Sequence, residues 1–289
     1  MSATSATAKK PGNPPPVWHE RGLEALRYLT RTEVHTYAFS VAANAILSFF
    51  PALVLLMTIT RRLLHSRAMS DVIVQLLRDF LPTGQDFIVR NLSAIVDARK
   101  GAQIMSLLIL LVTSTGIFLP LEVALNQVWG VKKNRSYLKN QLVSTALAFA
   151  VVILAMTSVA LTAGNQALLA IAFRSSAENI FIRSSGFLVM KLFAIVASIA
   201  IFFLIYWILP NAKIPARAVL PSAIATGLLW EAAKYLYVFA LPFLDFKEVY
   251  GPFALSVALM FWAFLSGLLL LAGAHLSASA PETNAQSIS

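Results

Sequence analysis

Residues 253–274 read FALSVALMFWAFLSGLLLLAGA, 22 residues with no Asp, Glu, Lys or Arg among them. A helix rises about 1.5 Å per residue, so this stretch reaches about 33 Å, enough to cross the hydrocarbon core of a bilayer. Its apolar residues occupy every face instead of alternating with polar ones, which argues against a strand of a transmembrane barrel. The whole chain has the same character. Of 289 residues, 58% are hydrophobic and 12% charged, and the mean hydropathy is +0.74, whereas a soluble domain is roughly a quarter charged. Such a composition excludes an ordinary soluble protein and a disordered one. The absence of cysteine excludes a disulfide scaffold, thiolate metal sites and thiol catalysis.

Five further stretches, 41–59, 104–121, 142–163, 192–209 and 219–241, have the same character. The last is interrupted by Glu231 and Lys234, yet Pro215, Pro221 and Pro242 frame it as one helix. The long stretch from Lys139 to Arg174 reads as one span running past Gly164, Asn165 and Gln166 into an interfacial tail. The expected fold is therefore all-α, a polytopic membrane protein with a bundle of six transmembrane helices. It forms a single membrane domain over 17–276, between disordered polar tails at 1–16 and 277–289.

Three amphipathic helices are expected outside the spans. Residues 18–34 place Trp18, Leu23, Leu26 and Leu29 on one side and suit the membrane surface. Between spans one and two, Ser70 is read as the N-cap of a helix over 70–81, in which Val72/Ile73, Leu76/Leu77 and Phe80/Leu81 recur every four residues. Leu-Pro-Thr-Gly at 81–84 breaks it. A partner helix over 84–97 follows, capped by Thr83 with Asp86 three residues on. This hairpin either caps one mouth of the bundle or rests on lipid.

The 23 Lys and Arg against 13 Asp and Glu give a net charge of +10. Eleven basic residues fall on each side of the six spans, so the count alone does not orient the chain. The loop holding Lys132, Lys133, Arg135 and Lys139 is short and purely basic, whereas the first loop mixes its bases with four acids. That contrast favours both termini in the cytoplasm.

Ionisable residues within a span cost several kcal/mol on insertion scales and face the bundle interior or water. Glu231 and Lys234 share one helix face and can neutralise each other, either as a static pair or as the lining of a polar path. Glu122 and Asn126 close the second span after Thr113, Ser114, Thr115, Gly116 and Pro120. In span one Pro51 frees a backbone carbonyl near the turn from Asn44 to Ser48. These seven positions, Asn44, Ser48, Pro51, Glu122, Asn126, Glu231 and Lys234, are the candidates for a substrate path, and the basic loop residues Lys132, Lys133, Arg135 and Lys139 for contact with a headgroup. His275 reads as interfacial. His19, His35, His65 and His275 are too scattered for a metal site, and no Walker or Gly-x-Ser-x-Gly sequence occurs. No cofactor, metal or enzymatic activity is expected.

Several strings taken together resemble a known family. They are Asn44-Ala-Ile-Leu-Ser-Phe-Phe-Pro51; Glu122-Val-Ala-Leu-Asn126-Gln-Val-Trp129-Gly130-Val131 with Lys132, Lys133 and Arg135 after it; Leu209-Pro210-Asn211 with the later Pro221; Tyr250-Gly251; and Trp262 through Gly273-Ala274. In this order, over about residues 20 to 276, they are similar to the YihY/virulence factor BrkB family of bacterial inner-membrane proteins. The chain departs from that pattern at His275, where the family commonly carries an acid. The resemblance implies a six-helix protein of the cytoplasmic membrane, in a family associated with serum resistance and lipid A precursor movement and long labelled ribonuclease BN. Nothing in these residues supports ribonuclease chemistry, since the basic residues are dispersed and form no stripe for nucleic acid. The expected function is transport or flipping of a lipid or other anionic amphiphile, with membrane lipids as partners. The alternative is a non-transporting scaffold that recruits envelope partners.

Overall fold

In a computed structural model, residues 18–80, 88–90, 92, 94, 96, 100–173 and 180–278 are described. No strand occurs among them. The helices are α1 (Trp18–Leu29), α2 (Thr32–Thr58, running into a π-helical turn Ile59–Leu63), α3 (Arg67–Phe80), α4 (Lys100–Val128), α5 (Tyr137–Phe173), α6 (Ile180–Ile208), α7 (Ala216–Leu244), α8 (Phe246–Tyr250) and α9 (Ala254–Ala278). Among the described residues five segments are long and apolar enough to cross a membrane: Thr32–Leu63, Tyr137–Gly164, Lys191–Ile208, Ala216–Leu244 and Phe246–Ala278. Large apolar side chains such as Leu47, Val112, Leu142 and Phe239 remain exposed, which suits lipid as the surrounding solvent. The protein is an all-α polytopic membrane protein.

The expected span 104–121 lies inside α4, whose qualifying apolar stretch among the described residues, Gly116–Val128, is shorter than a crossing. Hydropathy also misplaces helix ends. The spans expected at 41–59, 142–163 and 219–241 belong to helices that begin earlier and extend further, because backbone hydrogen bonding continues into the polar rim where apolar counting stops. Pro221 and Pro242 sit within α7 rather than framing it, whereas Pro215 is its N-cap. At the C-terminal end α9 takes in Ser277 and Ala278, two residues expected to belong to the disordered tail. The rest of that tail, residues 1–16, the break at 81–84 and the Thr83 cap lie outside the described residues.

The helix expected over 18–34 is two helices. Thr30 Oγ1 donates to Arg27 O at 2.8 Å and Arg31 is extended, so the chain turns before α2. Helix α1 docks on α9 through buried Ala25 and Tyr28, and the Tyr28 ring stacks on His275 at 4.6 Å between centroids. Leu23 and Leu26 stay exposed.

Helix α3 starts three residues before the expected site. The Ser66 hydroxyl accepts from Met69 N at 3.3 Å, the geometry of an N-cap, and Ser70 is buried inside the helix. Of residues 84–97, those described are helical. Val72, Ile73, Leu77, Ile88, Leu92 and Val96 pack on Leu53, Val54 and Met57 of α2 and on Val159 and Ala163 of α5. These residues thus cover bundle surface. A second, larger core joins α2, α4, α6, α7 and α9 towards the opposite end, around Leu121, Leu125, Tyr206, Leu209 and Leu271. There Gly267 lets α9 approach α2, since a methyl at that position would come within 3.3 Å of Ala38 Cα.

Burial pushes the Tyr28 hydroxyl up to about 12, with neighbouring Tyr37 adding to the rise. That hydroxyl is buried without a hydrogen bond, which costs about 1–3 kcal/mol. Tyr28→Phe is expected to stabilise the protein at neutral pH. Tyr28 is neutral in both states below pH 10 and lowers stability as pH climbs from 10 towards 12, because the unfolded chain ionises first. Thermal unfolding of the native chain and the variant from pH 7 to 12 checks both: the variant should melt higher and lose less stability at alkaline pH.

Candidate functional site

The polar candidates fall into three groups. The first ties the end of α4 to the α6–α7 connection. Glu122 and Asn126 are both buried, each 1% exposed. Gly130, with φ +67, ends α4 in a left-handed turn that returns Val131 N to Asn126 O at 2.8 Å. The turn carries the chain back so that Arg135 N donates to Glu122 Oε1 at 3.1 Å. The Arg135 guanidinium lies 4.0 Å from the same oxygen. It donates to three carbonyls at the end of α6: Ile208 and Pro210, each at 2.9 Å, and Leu209. Asn126 donates to Asn134 Oδ1 at 2.9 Å and accepts from Asn211 N at 2.7 Å, and Asn211 donates to Lys133 O at 2.8 Å. The carbonyls at a helix C-terminus lack partners within the helix and carry partial negative charge, and a planar guanidinium satisfies several of them at once. Two motif strings far apart in the chain therefore form one latch.

This arrangement reassigns Arg135. It was expected to meet a headgroup together with Lys132, Lys133 and Lys139. Those three lysines are exposed, whereas Arg135 is drawn into the protein by its carbonyl and carboxylate partners.

The second group lies midway along α7. Glu231 Oε1 accepts from Ser198 of α6 at 2.6 Å, and Oε2 accepts from Lys234 Nζ at 2.6 Å. The ammonium also stands 5.4 Å from the Trp230 ring and 5.3 Å from that of Tyr235, within cation–π range. Glu231 is the sixteenth residue of α7. That places it about 22 Å along the helix from the end held by the latch. The third group is at the contact of α2 with α4. Asn44 donates to Ser40 O at 2.9 Å and Ser48 donates to Asn44 O. Gly116 lies opposite them, and a methyl there would meet Asn44 Oδ1 and force the Asn44 side chain to move. Pro51 lies within α2, two turns further on.

Between α2, α6, α7 and α9 is a partly open cavity of about 400 Å³, walled by Ala45, Phe49, Phe202, Trp230, Trp262 and Gly267 among others. Among the described residues no charged side chain lines it, and none of the seven expected path residues does. Its polar feature is Trp230 Nε1 donating to Ser266 Oγ at 3.1 Å. Trp230 connects it to the charged pair, since its ring forms cavity wall while Lys234 lies over the same ring. Of the seven expected path residues, Glu231 and Lys234 stand beside this apolar cavity. The latch and the Asn44 group stand apart from it. Sequence reading missed Ser198 and the aromatic walls, because partners on separate helices leave no local signal. Among the described residues no three of His, Asp and Glu gather as metal ligands.

No solved structure matches this chain. It is similar to a UPF0761 membrane protein of Pseudoalteromonas atlantica, 25% identical over 257 residues that cover 87% of this chain and 83% of that one. Corresponding proteins of Acinetobacter baylyi and Pseudomonas aeruginosa are 24% and 27% identical, over 90% and 88% of this chain. The chain spans 62% of the length of each of these two. All three carry the name of membrane proteins, and the model of the family described as Virulence factor BrkB matches residues 25–288. The chain belongs to the virulence factor BrkB family.

Proposed function

We propose that this protein moves a lipid or another anionic amphiphile in the bacterial inner membrane, with both termini in the cytoplasm. The observation that carries this reading is the uncharged, partly open cavity beside the Glu231–Lys234 pair. An acyl chain suits walls of Phe, Trp and Ala, and an ammonium next to that wall suits an anion at the chain's end. The exposed Lys132, Lys133 and Lys139 offer a basic rim where anionic headgroups gather.

The test is movement of labelled lipid in vesicles reconstituted with the full chain. Ala45→Phe with Ala263→Phe fills the cavity and is expected to slow movement by about ten-fold or more, the scale of one lost binding contact of about 1.4 kcal/mol. Native rates in this variant, with its fold intact by circular dichroism, would remove the cavity from the mechanism.

A second reading has its own support. Both oxygens of Glu231 are satisfied within the protein, and Arg135 is spent on carbonyls, as a scaffold requires. Under that reading no lipid moves in the native protein either.

A further inference from the structure

At the end of the bundle opposite the latch, Arg61, His65, Ser66, Arg67, Ser70 and Asp71 line a cavity of about 490 Å³. Its shape is built by an unusual piece of backbone. The π-helical turn Ile59–Leu63 closes with Leu64 N donating to Ile59 O at 2.9 Å. His65 then takes a left-handed conformation, φ +51, that β-carbon sterics disfavour, and Ser66 N returns to Thr60 O at 2.9 Å. Ser70 Oγ, buried beneath, lies 3.1 Å from both Thr60 Oγ1 and Ser66 O. π-Turns and strained residues concentrate at functional sites.

The same backbone sorts the charges. Arg62 is turned away and donates to Val96 O at 2.7 Å, whereas Arg61 and Arg67 both line the cavity, with Asp71 beside them. The Arg67 side chain makes no hydrogen bond or ion pair among the described residues, and Arg67 opens α3, so the positive end of that 14-residue helix lies beside the guanidiniums. Guanidinium forks match the tetrahedral oxygens of a phosphate. A lone carboxylate next to such a pair would repel a bare dianion, yet it can accept from a hydroxyl or ammonium carried by the same ligand.

We infer that this cavity binds a phosphate-bearing headgroup, the phosphate on Arg61 and Arg67 and the headgroup's own donor on Asp71. The source of that phosphate rests on the lipid reading above, but the site does not require that lipid be moved.

Binding tests it separately from transport. The detergent-solubilised full chain is titrated with dihexanoyl phosphatidylglycerol, with dihexanoyl phosphatidylethanolamine and with inorganic phosphate. The double variant Arg61→Gln/Arg67→Gln is expected to bind both lipids about ten-fold or more weakly, and Arg67→Gln alone about three-fold or more weakly. Asp71→Asn should weaken the ethanolamine lipid more than it weakens phosphate. Competition by millimolar phosphate identifies the anion as the recognised group, and lipid binding that phosphate fails to displace identifies the whole headgroup. Arg67→Gln is exposed and leaves the folding contacts in place, so equal affinity in that variant and the native chain overturns the site even if the double variant does not fold. A site that binds in a chain that moves no lipid would keep this inference and discard transport.

Discussion

Arg135→Ala is expected to lower stability by about 3–5 kcal/mol, the cost of removing one partner from a buried ionic cluster. Three carbonyls at the end of α6 lose their donor together, and Glu122 keeps only the Arg135 backbone N–H and a long contact to Asn126 at 3.5 Å. Arg135→Lys should recover only part of the loss, because one ammonium lacks the flat fork that reaches Ile208, Leu209 and Pro210 at once. Chemical denaturation in detergent, followed by tryptophan fluorescence, gives the answer. A loss under about 1 kcal/mol would mean that the latch is a loosely held surface contact. Were Arg135 instead a headgroup ligand, lysine would replace it with native stability.

Lys234→Ala is the second large effect, again about 3–5 kcal/mol, because it strands the carboxylate of Glu231, only 7% exposed, on the bundle interior. Glu231→Ala should cost less, since the ammonium of Lys234 is the more exposed partner and keeps the rings of Trp230 and Tyr235. The double variant Glu231→Ala/Lys234→Ala removes both charges and should lose clearly less than the sum of the two single losses, as coupled neighbours do in a double-mutant cycle. Strictly additive losses would show that the two side chains act independently despite their 2.6 Å contact.

The crossing segments were legible because an apolar run is a local property. The same runs could not show where helices end, since Thr32 to Ser40 is helical through polar residues. The ion pair of Glu231 with Lys234 was also legible, being three residues apart on one turn. Its third member was not: Ser198 lies 33 residues away, and nothing in its own surroundings marks it. Arg135 shows the converse error. Its basic neighbours suggested a surface role, but only the fold brings the carbonyls of Ile208 to Pro210, 73 to 75 residues distant, to its guanidinium. The phosphate cavity was hidden because the deviations that shape it, a five-residue π-turn and the reversed φ of His65, are backbone events with no residue signature.

The contact of Gly267 with Ala38 sets an order on how the molecule is made. Helix α2 leaves the ribosome well before α9, yet the two are neighbours in the bundle, and α1 waits for the same partner. α2 can pair first with α4, its most extensive neighbour, but the face around Ala38 stays bare to lipid until α9 has been made. Closure of the bundle is therefore a single late event. A nascent chain stalled before residue 254 would hold its early spans in the membrane with one flank unsealed, the form in which quality-control proteases meet it.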